Sequence, residues 1–244
     1  MPTKKQDVLG PILFGRQDKI STELPLKIQQ CINHIEKHPW NMMTAVDPLT
    51  DRPLIWTRHE KNKEIGTDPF PNKPYLKYLV NDIVEEAVLL VPKSRQMIVT
   101  TTALIVCLWE IMFRQSQRII LSKVTEDEAI ELLENKVRFT YRAMPGWLRE
   151  YRKVEPLPRD NCRVKKNNSY IIAAAQNAAD RECRGGTATR LIVDEACYQD
   201  KLQDIISAGQ PMTDHVMMMS TPNAGYPGGR FMKAVIYDEE IGFG

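Results

Sequence analysis

The sequence predicts an α/β domain in which a mostly parallel sheet is flanked by helices, and three observations predict it. From Tyr75 onward, short apolar runs alternate with stretches of helical length and period, the pattern of strand–helix–strand units. Three of those runs end in residues able to do chemistry: Val91 leads into Pro92-Lys93-Ser94, Val193 into Asp194-Glu195, and Met219 into Ser220-Thr221-Pro222. A buried strand of Leu, Ile and Val has no structural need for two adjacent acids at its end, and the C-terminal edge of an open α/β sheet is where ligands bind.

Taken in order, residues 1–60 read as an N-terminal accessory segment and residues 61–244 as the main domain. Leu24, Leu26, Ile28, Cys31, Ile32 and Ile35 recur near helical spacing, which predicts one amphipathic helix near 22–38. Pro48, Pro53, Gly66, Pro69, Pro71 and Pro74 mark looping connections. Strands are predicted at 87–91, 118–121, 170–174, 191–193 and 216–219. A buried helix is expected over 101–114. Thr125 with Glu128 forms a capping-box pattern, and Ile130, Leu133, Val137, Tyr141 and Met144 share the face of the helix it opens. The stretch 145–168 carries Arg149, Arg152, Lys153, Arg159, Arg163, Lys165 and Lys166; it reads either as a solvated face or hairpin, or as a contact for a phosphate backbone.

The 33 Lys and Arg against 31 Asp and Glu leave a formal charge of +2, so no overall field demands a nucleic-acid partner. Five cysteines without a C-x-x-C pair argue against a disulfide framework or a cysteine zinc knuckle and fit a reducing compartment. No run approaches the ~18–20 apolar residues of a membrane span, and the N-terminus lacks a secretion signal, so a soluble protein is expected. His34 and His38 lie one helical turn apart without a third ligand and read as surface residues.

The chemistry is concentrated at the three strand ends. The first acid of the pair, Asp194, suits a Mg2+ shell, and the second, Glu195, suits orienting and polarising a water; the plainer alternative is an N-capping acid in a solvated loop. A phosphate cradle would lie in Pro92–Thr100, between a strand and its following helix. If Thr100 provides the metal-binding hydroxyl, Ile98-Val99 replaces the usual Gly-Lys pair. Two β-branched residues resist positive φ, so this loop is expected to avoid a path that requires it. The cation on the phosphates would then be Lys93 or Arg95, reaching in from the start of the loop. Ser220, Thr221 and Asn223 offer small polar groups that could sense a γ-phosphate, although S-T-P-N is also a frequent turn.

Together these residues resemble the N-terminal ATPase domain of the large terminase subunit, the motor that packages double-stranded DNA into tailed-bacteriophage heads. The resemblance runs from about Pro74 to Lys233 and is carried by Lys93-Ser94-Arg95-Gln96-Met97, by Arg184-Gly185-Gly186 through Asp194-Glu195-Ala196, and by Met219-Ser220-Thr221-Pro222. It implies a P-loop NTPase fold of the ASCE or RecA-like kind, three layers deep, with ATP and Mg2+ as cofactors. It implies ATP binding by Lys93, Ser94, Arg95, Gln96 and Thr100, with Tyr75 nearest the adenine, and a metal held by Thr100 and Asp194. Glu195 would be the catalytic base, and Ser220, Thr221 and Pro222 the coupling motif. Arg184, with Arg181 as substitute, would reach into a neighbouring subunit's site.

The implied partners are double-stranded DNA, a portal protein, a small terminase subunit and further copies of the chain in a ring. The implied location is the host cell cytoplasm, transiently at the procapsid portal vertex, with no membrane. Full-length members carry a C-terminal nuclease domain for which the residues up to Gly244 leave no room, so DNA cleavage is expected to be absent. A helicase-like remodelling ATPase and a non-hydrolysing nucleotide-binding docking module are the competing readings.

Overall fold

The computed structural model describes residues 20–58, 66–94, 97–156, 158–184 and 186–237, apart from the side chains of residues 20–24, 180 and 184. The chain begins with helix α1 (Ile20–Ile35) and the short α2 (Pro39–Thr44). The first helix therefore ends before His38, whose ring Nδ1 accepts from the Trp40 amide at 3.2 Å and caps the second. A two-stranded antiparallel ribbon follows, β1 (Trp56–Arg58) with β2 (Thr67–Pro69), and then α3 (Pro74–Glu85). This N-terminal stretch is not loosely appended. Ile35, Met42, Leu54 and Ile55 share one core cluster with Leu104, Ile105 and Met112, and the buried Trp109 indole donates to the Ile35 carbonyl at 2.8 Å.

The main sheet contains β3 (Val88–Pro92), β4 (Arg118–Lys123), β5 (Asn161–Val164), β6 (Ser169–Ala175), β7 (Ala188–Asp194) and β8 (Thr213–Ser220). Its order is β3-β8-β7-β4-β6-β5, parallel throughout except for β5, which runs antiparallel to β6 at the edge. All five strands anticipated from the apolar runs are present: the first is shifted by one residue, to Val88–Pro92, and the other four are longer by two to four residues. The basic stretch supplies the sixth: Cys162 and Val164 point inward and Arg163 outward, the alternation of a half-buried edge strand.

Strand residues divide between the two faces with period two. Ile119, Leu121, Ile192, Met217 and Met219 join the cluster that contains α3, α4 (Val99–Phe113) and the helix opening at Glu126. Ile120, Leu191, Val193, Val216 and Met218 join the other cluster, with α8 (Gln176–Arg184), α9 (Leu202–Gly209) and α10 (Pro227–Tyr237). The result is a sheet between two helical layers. The Glu126 helix is α5 (Glu126–Leu132), one π turn over Leu133–Arg138 and α6 (Phe139–Ala143), followed by α7 (Gly146–Tyr151). Its N-cap is the anticipated Thr125, whose hydroxyl accepts from the Glu128 amide at 3.3 Å.

Every residue of α4 from Thr101 to Met112 is buried, because sheet, α3 and the N-terminal segment enclose it. A helix buried on all sides must pair its charged groups internally. Glu110 does so through Arg190 on β7, whose guanidinium donates at 3.0 and 2.7 Å to the two carboxylate oxygens and at 2.7 Å to the Ile83 carbonyl. Burial alone pushes the Arg190 pKa down, but the charge and hydrogen bonds of Glu110 outweigh it and the value rises, so the guanidinium stays charged. Among the described residues no helix is long and apolar enough to cross a membrane.

Candidate active site

Parallel register brings three distant chain segments to one edge of the sheet. Across β8, Pro92 lies beside Ser220 and Asp194 beside Met219. The Lys93 amide still donates to the Ser220 carbonyl, at 2.9 Å, so the ladder holds up to the point where the chain leaves the sheet. Because β8 separates β3 from β7, Lys93 and Asp194 start about 10 Å apart, two strand spacings. A side chain as long as lysine's closes that gap.

Lys93 Nζ donates to Thr100 Oγ1 at 2.7 Å and to Asp194 Oδ1 at 2.9 Å, and lies 3.4 Å from Glu195 Oε1. Thr100, in the first turn of α4, donates to Asp194 Oδ1 at 3.1 Å. Asp194 is approached from the opposite side as well, by Lys123 at the end of β4, with Nζ 3.6 Å from Oδ2. Its side chain is only 4% exposed whereas that of Glu195 is 30% exposed, so the first acid is held in place and the second faces solvent. Two cations beside two carboxylates keep these partly buried charges compensated.

The turn at Glu195 is built against conformational preference. Glu195 adopts φ 52 and ψ 42, the left-handed region, at about 1–2 kcal/mol for a residue with a side chain. Buried Gln199 restrains it: Nε2 donates to the Asp194 carbonyl at 2.9 Å and the Ser122 carbonyl at 3.3 Å, while Ser122 Oγ donates back to Gln199 Oε1 at 3.1 Å. Helix α10 presses on the same turn. A Cβ at Gly228 would sit 2.6 Å from the Gln199 carbonyl oxygen, so only glycine allows this approach.

The phosphate-loop expectation needs one correction. Ile98 takes φ 55 in spite of its β-branch, while Val99 begins the helix. Helix capping and packing together override the local preference: the Ile98 carbonyl accepts from both the amide and the hydroxyl of Thr102, each at 2.9 Å, in the first turn of α4, and its side chain packs against the core. The loop thus follows a left-handed path into α4 without glycine.

A cleft of about 220 Å³ opens among Lys93, Ser94, Ile98, Thr100, Asp194 and Thr221, with Lys136 from the π turn on its wall. A second cleft of about 420 Å³ shares Glu195 and Thr221 and is bounded by Lys123, Glu128, Tyr198 and Tyr226. Glu195 therefore stands between two concavities. Thr221 Oγ1 donates to Glu195 Oε2 at 3.4 Å and lies 3.4 Å from the Tyr198 hydroxyl.

Of the residues singled out in the sequence, the fold brings together Lys93, Ser94, Thr100, Asp194, Glu195 and Thr221. The Ser220 hydroxyl instead serves the backbone, accepting from the Cys197 amide at 3.1 Å and donating to the Thr221 carbonyl at 3.0 Å. Pro222 lines a separate apolar cleft with Cys197 and Met232. Tyr75 stands in the first turn of α3 and donates to the Met97 carbonyl at 3.3 Å, which puts it against the loop. Arg95 and Gln96 lie outside the described residues; Arg184 closes α8, and its side chain lies outside them too. Its neighbour Glu182 is engaged by Arg118 at 3.0 Å. Lys123, Lys136, Tyr198 and Gln199 were not singled out in the sequence. Lys123 alone had a signal: it follows the second apolar run as Lys93 follows the first.

No family model matches the sequence, and no curated protein matches it. Among solved structures, the large terminase of bacteriophage HK97 superposes with a TM-score of 0.53 at 14% identity, covering 70% of this chain and 38% of that one. The large terminase of a thermophilic bacteriophage gives a TM-score of 0.50 at 10% identity, covering 68% of this chain and 43% of that one. This chain spans less than half the length of either. Its α/β domain thus has the fold of the bacteriophage large terminases.

Proposed function

We propose that this chain is an ATPase motor domain of the large-terminase kind, hydrolysing ATP to drive double-stranded DNA into a procapsid. The observation that carries the reading is the meeting of Lys93, Thr100, Asp194 and Glu195 within 3.4 Å of one lysine nitrogen, from segments a hundred residues apart. At about 220 Å³ the cleft is smaller than pockets that enclose a whole drug-sized ligand, about 300–1,000 Å³, and it suits the phosphate end of a nucleotide.

The donor set fits Mg2+. Thr100 Oγ1 and Asp194 Oδ1 are hard oxygens 3.1 Å apart, close to the roughly 3 Å between neighbouring ligands of an octahedral ion with ~2.1 Å bonds. When bound there, the metal neutralises charge on the phosphates. The chain's own groups do the rest. Lys93, as a point charge, binds phosphate oxygens. Glu195, partly exposed and oriented by Thr221, holds the attacking water and accepts its proton. Lys123 holds Asp194 in orientation through its other carboxylate oxygen. Arg184 reaches into the site of a neighbouring copy in a ring, Ser220, Thr221 and Pro222 transmit the phosphate state to movement, and Ser94, Arg95, Gln96 and Tyr75 complete nucleotide binding. The expected setting is the host cytoplasm at the portal vertex, with portal protein and small terminase subunit as partners.

Phosphate release from Mg·ATP by the chain, beside Glu195→Gln, tests this. Release lost in the variant and raised by duplex DNA without strand separation on a tailed duplex supports the motor. Equal background release from both proteins overturns it in favour of a docking module, and unwinding overturns it in favour of a helicase.

A further inference from the structure

The ammonium of Lys93 rests on the same two oxygens that a divalent cation would use. It lies 2.7 Å from Thr100 Oγ1 and 2.9 Å from Asp194 Oδ1, with Glu195 Oε1 at 3.4 Å. Two cations cannot share a pair of oxygens 3.1 Å apart. We propose that Lys93 and a divalent cation exclude one another at Thr100 and Asp194, so that the metal enters only together with an anion that draws Lys93 away. Phosphate capture and metal capture then become a single event, and the lysine is its gate. This rests on the reading of the site as one for Mg·ATP, and it adds the order in which that site is filled.

The rest of the donor set supports the same order. Among the described residues no group of three or more His, Cys, Asp or Glu side chains could hold a metal by itself. A small hard cation that finds one or two protein oxygens completes its coordination with phosphate oxygens and water. An ammonium leaving Thr100 and Asp194 needs other acceptors, which the same phosphates supply. The coupling is reciprocal: whatever the anion contributes to metal affinity, the metal returns to anion affinity. Lys123 provides an internal control, because it too is a cation beside Asp194, at 3.6 Å, but it contacts the other carboxylate oxygen and does not bridge to Thr100.

The experiment measures Mn2+ binding without nucleotide, by loss of the free-ion electron paramagnetic resonance signal. The full chain is compared with Lys93→Met, Lys93→Gln, Lys123→Met and the double variant Lys93→Met/Asp194→Asn, each shown to be folded by circular dichroism. The expected result is weak binding by the wild type, a gain of about tenfold or more in both Lys93 variants, a gain below about threefold in Lys123→Met, and loss of the gain in the double variant. Equal gains for the Lys93 and Lys123 variants, which simple removal of charge would give, overturn the exchange. So does a gain that survives Asp194→Asn, or no gain in either Lys93 variant. The readout is independent of turnover. Absent phosphate release with the Mn2+ gain intact overturns the ATPase reading alone, and phosphate release without the gain overturns the exchange alone.

Discussion

Strand β7 carries a buried charge cluster toward each end, and the two are built on different principles. At Arg190, one guanidinium meets one carboxylate through two short hydrogen bonds and a carbonyl through a third. The donors and acceptors match and solvent is shut out. Four residues on, at Asp194, two lysines share two carboxylates and a hydroxyl, the lysine–carboxylate distances spread from 2.9 to 3.6 Å, and the group borders a cleft. The first cluster is saturated and holds α3, α4 and β7 together. The second leaves its charges able to take other partners. Buried charge alone does not mark a site; charge with unspent bonding capacity beside open space does.

That contrast can be broken most sharply at Glu195. Glu195→Gln is expected to lower phosphate release by about 10²–10⁴-fold while leaving the unfolding midpoint near wild type. Arg190→Met should do the opposite. Stranding Glu110 is expected to cost about 3–5 kcal/mol in chemical denaturation, with turnover per folded molecule near wild type, and adding Glu110→Leu should restore most of the stability. A large loss of turnover in a stably folded Arg190 variant would erase the distinction between the clusters. Gln199→Leu lies between the two cases: it leaves the Asp194 and Ser122 carbonyls without their donor, so a loss of about 1–3 kcal/mol together with lower turnover is expected. Thr125→Ala, whose hydroxyl bonds only the Glu128 amide and no member of either cluster, should cost about 1 kcal/mol through the lost cap and change phosphate release less than any of these.

The core strands were legible because their apolar runs are the sheet, and the capping residue at Thr125 because its chemistry is local. The edge strand β5 was not, since Arg163 and its basic neighbours carry the signature of a solvated loop. The π turn at Leu133–Arg138, within which Leu133, Val137 and Arg138 are buried, has no local sequence pattern to announce it. At the site, the acids and Lys93 could be suspected from their position after apolar runs. That Lys93 would touch both Thr100 and Asp194 depends on β8 lying between β3 and β7, which no local signal encodes. Ser220 shows the converse: a hydroxyl in the expected segment is turned inward to support a backbone amide. Ile98 shows helix capping and packing overruling a propensity that the sequence states clearly.

The left-handed backbone at Ile98 and Glu195 has a consequence for anyone who would engineer this chain. Glycine at either position would relax the strain, with a gain on the order of 1 kcal/mol wherever the lost side-chain contacts are small. Selection for heat tolerance alone would therefore be drawn to the turn that presents the carboxylate proposed as the catalytic base, and would raise the melting temperature while removing the group on which the proposed chemistry depends. Thermostable descendants are best sought by improving the two helical layers and leaving that corner under tension.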